Sequence, residues 1–261
     1  MISAIQIAMD DFKDQTQSLR RQIQIVDFLC GQTGPPVAVS LSKTQLNNFK
    51  IIQKRCGPYT DIATRTSVAN GAIVVISSML EQFARLAVSG AVSHLKTRKK
   101  AFKDLNQSIQ NAQMKEFADL LLRQMREGQL FSVHFINEVS NLHKCLNSDI
   151  GYSLMADSIS RNRRNVTSIE LAEMCGRIGL KKIMDNLASY TELQDYFGQY
   201  NIQIVSAKTA EKMNNFMAER NSITHGGSSA KSYATNWITD YLEFFDVLTI
   251  SLASELDKYA T

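Results

Sequence analysis

The stretch "MAERNSITHGG", Met217 to Gly227, places an Arg, an Asn and a His close together near the end of the chain. A guanidinium at Arg220 can grip a phosphate through two parallel N–H bonds and keeps its charge at any working pH. The imidazole of His225 can pass a proton near neutrality, and Asn221 can orient the substrate or hold Arg220. These groups suit proton transfer beside a phosphodiester and neutralisation of the charge that develops on it. Arg and His also close helix ends well, so the residues alone weigh equally for a capping device.

The helix leading into this stretch carries Ala210, Met213, Phe216 and Met217 on one side, and Gly226 and Gly227 suit a left-handed end. Arg220 and His225 then occupy its last turns, with His225 at the negative end of the helix dipole. Five residues of helix separate them by roughly 7.5 Å of rise and about 140° of rotation. They do not stack on one face, and they converge on one phosphate only where the last turn is distorted.

The elements that must position them read as helices. All three prolines (Pro35, Pro36, Pro58) lie in the first quarter, and none follows Tyr59 to break a helix. Apolar spacing predicts a long amphipathic helix over Ile2 to Leu29, then a short one over Thr44 to Arg55 before the "CGPY" turn. A central helix runs from Asp61 to about Leu95, its middle (Ala72 to Leu80) apolar nearly all round, as in buried helices. Further helices are predicted over Ala101 to Arg126, Phe131 to Leu146, Ser168 to Ala188, Ala207 to Thr224 and Tyr233 to Tyr259. Thr167 or Ser168 with Glu170 has the form of a capping box, and Ser206 is placed to cap a helix after the alternating "YNIQIVSAK". The expectation is an all-α protein: one helical domain over 61–261 behind an N-terminal helical extension over 1–60.

At 261 residues and 44% hydrophobic content the chain can bury a core without staples. Its four cysteines (Cys30, Cys56, Cys145, Cys175) show neither a disulfide framework nor zinc spacing, which fits a reducing, cytoplasmic setting. The start has no basic segment ahead of an apolar one, and "GAIVVISSML" is about half a membrane span, so no membrane partner is expected. A net charge of +4 is too weak by itself to establish nucleic-acid binding. No Walker loop, GxSxG, HExxH, dinucleotide fingerprint or metal-ligand spacing is present, so neither cofactor nor metal is expected.

"RNSITHG" resembles the Arg-x4–6-His signature of the HEPN superfamily, including the polar residue directly after the Arg. "ANGAIVVISSMLEQFARLA", Ala69 to Ala87, is similar to that family's early helix, apolar and then carrying Glu before an aromatic. The resemblance is to single-chain bacterial proteins of the toxin and phage-defence kind and covers roughly Asp61 to the C-terminus. It implies a metal-independent endoribonuclease, a homodimer whose composite site takes an Arg and a His from each subunit and leaves 2′,3′-cyclic phosphate and 5′-hydroxyl ends. By the same resemblance His225 acts in proton transfer, Arg220 neutralises the phosphate, Asn221 orients, and Glu81 matches the early-helix acid and supports Arg220. An antitoxin or a sensor protein is an implied partner. The family's toxins silenced by adenylylation carry a Tyr two residues after the His; Gly227 stands there, which puts that control in doubt.

Two basic runs are candidates for RNA contact: "KTRKK" (Lys96, Arg98, Lys99, Lys100) and "RNRR" (Arg161, Arg163, Arg164). Solvated helix ends account for such runs more often than nucleic acid does. His94, His134 and His143 have no nucleophile or metal spacing around them and read as structural or surface residues. Two further readings stay open on sequence: a HEPN-like scaffold that binds RNA or protein without cutting, and an unrelated helical adaptor.

Overall fold

A computed structural model describes residues 1–29, 62–128, 132–162, 164–225 and 233–261. The expected helix over 44–55, the "CGPY" turn, Cys30, Cys56 and the Gly226–Gly227 helix end lie outside the described residues. The protein is all-α: no strand occurs among the described residues. Three long helices build the centre: α1 (Ser3–Leu29), α2 (Ile62–Arg98) and, at the far end of the chain, α10 (Thr235–Ala260). Each packs on the other two.

α1 turns Ile5, Ala8, Met9, Phe12, Leu19 and Ile23 inward at the threes and fours of an amphipathic helix, with one seven. It crosses α2 at Gly90, where a Cβ would lie 3.0 Å from the Ala4 Cβ, so the absence of a side chain sets how closely the two helices approach. Arg20 pairs with Asp246 at 2.7 Å, and Thr235 donates to Asp27 at 2.7 Å, fastening α1 to α10. α2 departs from the expected all-round apolar helix. Gly71, Val75, Ser78, Gln82 and Arg85 follow one another by fours and threes and form a solvent stripe, while Ile73, Ile76, Leu80 and Phe83 are buried. By length and mean hydropathy (1.4) Thr66–Arg98 would also pass as a membrane span; its burial against α1 and α10 accounts for that hydropathy.

After α2 the chain forms smaller elements: a 3₁₀ turn at Phe102–Asp104, α3 (Gln107–Arg126), α4 (Val133–Leu146), α5 (Ala156–Ile159), α6 (Ser168–Arg177), α7 (Ile183–Ala188) and α8 (Thr191–Phe197). Asn106 caps α3 by accepting from Ile109 N–H at 2.9 Å, and Ser132 caps α4. Thr167 caps α6 by accepting from Glu170 N–H at 3.2 Å. The predicted single helix from Ser168 to Ala188 is broken in two. Gly179 has φ +92°, and a Cβ there would lie 2.8 Å from Asn106 Nδ2, which itself donates to Ile178 O at 2.7 Å. Lys182 follows with φ 55° and starts α7. A tertiary partner, Asn106, thus occupies the place where the helix would have continued.

α9 (Ile202–Thr224) begins five residues before the predicted start. Asn201, not Ser206, is the cap, accepting from Gln203 and Ile204 N–H at 3.0 and 3.2 Å. Ser206 donates to Asp185 instead. α9 packs against α7, α2 and α6, and its Phe216 sits among Tyr241, Phe245 and Trp237 of α10, with ring centroids 4.9, 4.9 and 6.1 Å away. Cys145 and Cys175 are buried free thiols.

Candidate active site

α9 buries Val205, Thr209, Met213, Phe216 and Met217, a face that recurs by fours and threes. Arg220 and Asn221 are the next positions along that face, where the core gives out, and both are half-buried. The core periodicity therefore continues into the motif and turns the guanidinium inward. Arg220 Nη1 donates to Asn221 Oδ1 at 3.3 Å, and Arg220 Nε is buried with no hydrogen-bond partner among the described residues.

The last turn of α9 keeps regular hydrogen bonding. His225 N–H donates to Asn221 O at 3.0 Å, and the Thr224 hydroxyl bonds back to Arg220 O and Asn221 O at 3.1 and 3.2 Å. His225 then leaves the helix with φ −99° and ψ 8°, and its side chain is exposed. One chain thus presents a half-buried Arg220 and an exposed His225 about 140° apart around the helix.

Glu81 of α2 belongs to the same neighbourhood. Its carboxylate accepts from the Ser77 hydroxyl at 3.4 Å, and the Arg220 charge and the Val166 backbone act on it. Burial pushes the Glu81 carboxyl above its ordinary value; the Arg220 guanidinium, the Ser77 hydroxyl and the Val166 backbone pull the other way without reversing the shift. Ser77 also contacts Met217 Sδ at 3.6 Å, which ties this turn of α2 to α9.

The "RNRR" run lies in the connection from α5 to α6, and this connection reaches the motif. Asn165 Nδ2 donates to Asn221 Oδ1 at 2.5 Å, Val166 is fully buried, and Ser168 donates through its N–H and its hydroxyl to Asn214 Oδ1, each at 3.1 Å. Arg161 and Arg164 flank this contact and are exposed; Arg163 lies outside the described residues. The other basic run is held apart. Arg98 is 17 residues beyond Glu81 on α2, roughly 25 Å along the axis. Arg98, Lys99 and Lys100 are exposed there and Lys96 is half-buried.

Arg161 also lines a cleft of about 680 Å³ together with Ser89, Arg123, His134, Glu138 and Asp157. His94 is half-buried, whereas His134 and His143 are exposed. No group of three or more metal-capable side chains converges among the described residues. Asn165, Val166, Ser77 and Asn214 were not singled out from the sequence. The one local signal was that Asn165 directly follows the basic run.

The all-α architecture of the described residues is that of a HEPN domain. This chain belongs to the RiboL-PSP-HEPN family, whose model, HEPN_RiboL-PSP, matches residues 42–258, beginning upstream of Asp61. Membership points to a ribonuclease or an RNA-related role. No curated protein and no solved structure matches the chain.

Proposed function

We propose that this protein is a metal-independent endoribonuclease acting as a two-fold dimer, an effector of the toxin or phage-defence kind. The observation that carries the reading is a fixed, half-buried Arg220 and an exposed His225 on one helix end, with Asn221 bonded to the guanidinium. In the proposed reaction the ribose 2′-oxygen attacks the adjacent phosphorus and gives up its proton. The bond from phosphorus to the 5′-oxygen breaks, and that oxygen takes a proton, leaving 2′,3′-cyclic phosphate and 5′-hydroxyl ends. His225 serves in proton transfer, and Arg220 takes up negative charge on the phosphate oxygens through its planar fork.

The reaction needs a proton acceptor, a proton donor and charge neutralisation, whereas each chain supplies one exposed imidazole well away from its own guanidinium. A two-fold axis beside the motif doubles every group and lets His225 of one protomer face Arg220 of its partner. In this reading Arg164, one residue before the Asn165–Asn221 contact and exposed, would hold the RNA backbone beside the motif, with Arg161 further along the strand. An antitoxin or sensor protein would act on this dimer.

The alternative is a HEPN scaffold that binds RNA without cutting it, and the separation of Arg220 from His225 within a chain is the observation in its favour. Incubation of purified protein with total RNA in EDTA, wild type against His225→Ala, separates the two. The enzyme reading requires cleavage that survives chelation and disappears with the imidazole. RNA that stays intact but bound in both samples would establish the scaffold.

A further inference from the structure

The segment from Asn165 to Ser168 runs antiparallel along α9. Its ends meet Asn221 and Asn214, which are seven residues and about 10 Å apart on one helix face. Between those ends Val166 anchors the segment from below, its side chain fully buried. Asn165 is consequently anchored by the residues that follow it, Val166 and Ser168.

The chemistry of the donors fixes how the amides face one another. A guanidinium can only donate, so the Asn221 atom beside Arg220 Nη1 must be the carboxamide oxygen. The Asn165 atom 2.5 Å from that same oxygen must then be its NH₂. One oxygen with two lone pairs receives both bonds. If the Asn165 donor is removed, the Asn221 amide is free to rotate and the guanidinium loses the acceptor that sets its plane.

We infer that Asn165 is a positioning residue for the proposed RNA-cleaving site, acting through Asn221 to aim the Arg220 fork. The inference rests on the ribonuclease reading above and deepens it. The same register carries Arg164, the next residue outward, toward the His225 end of α9.

The test is a double-mutant cycle on cleavage of a single-stranded RNA in EDTA, with thermal melts of every variant. Asn165→Ala is expected to lower kcat about tenfold, the effect of one lost aligning hydrogen bond, with KM nearly unchanged. In an Asn221→Ala background the same substitution should cost nothing more, because its only route to Arg220 is gone. Asn165→Asp keeps size and shape but offers Asn221 an acceptor in place of a donor, and it should fall at least as far as the Ala variant. A purely structural role would lower the melting temperature and reduce activity by the same factor in both backgrounds, which would overturn the inference. So would an Asn165→Ala protein that cuts at the wild-type rate. Wild type and His225→Ala separate the two levels: His225-dependent cleavage with an inert Asn165 sinks this inference alone, and absence of any His225-dependent cleavage sinks both.

Discussion

The Tyr233 hydroxyl donates to Glu219 Oε2 at 2.5 Å and so joins the start of α10 to the residue immediately before Arg220. The ring lies 4.8 Å from that of Trp237, which in turn neighbours Phe216 of α9. Tyr233→Phe keeps the ring and removes the bond. It should destabilise the protein by about 1 kcal/mol, seen as a melting temperature lower by a few degrees. An unchanged melting curve would mean that aromatic packing alone holds the two helices at this end.

Glu81 gives a pH signature. Its folded-state carboxyl titrates above its ordinary value because of burial. The associated stability is fully present below the unfolded value and is lost as pH rises through the folded one. Glu81→Gln removes that penalty. Its melting temperature should exceed that of wild type at neutral pH, and the gain should shrink as acid protonates Glu81 in both states. A variant less stable than wild type at neutral pH would show that attraction to Arg220 outweighs burial.

Arg220→Lys should fail nearly as badly as Arg220→Ala, each losing on the order of a hundredfold in cleavage rate. Lysine keeps the charge but offers no planar fork to a phosphate or to Asn221 Oδ1. Near wild-type cutting by the lysine variant would show that a point charge suffices.

The proposed shared site predicts dominant interference. Adding His225→Ala protein to wild type, with subunit exchange confirmed by mass, should depress cleavage beyond simple dilution, because a mixed dimer lacks one imidazole. Mixtures of His225→Ala with Arg220→Ala should remain inactive. A loss proportional to the wild-type fraction would mean that each chain works alone.

The helices were readable because they depend on local pattern. Threes and fours in α1, the Thr167 cap and the Met213–Met217 face are all written within a few residues of where they act. The features that escaped depend on distant partners. The helix break at Gly179 answers to Asn106, more than 70 positions earlier, and Asn165 finds Asn221 across 56. The start of α9 was misplaced because Ile202 and Ile204 alternate with polar residues as a strand would, although both are about two-fifths exposed and bury no sheet face. The two basic runs look alike in sequence. Only the topology separates Arg164, next to the Asn165–Asn221 contact, from "KTRKK", far along α2.

The fastening of α1 to α10 has a consequence for synthesis. Asp27 and Thr235 are 208 residues apart in the chain, which at ribosomal speed is roughly 10 to 40 s of translation. During that interval the nascent chain carries the apolar stripe of α1 and much of α2 without the helix that covers them. α10 also supplies Tyr241 and Phe245, which hold Phe216 beneath the motif. Until α10 emerges from the ribosome, that packing beneath the motif cannot form. On the proposed ribonuclease reading, the cutting site would therefore be assembled only once the chain is nearly complete.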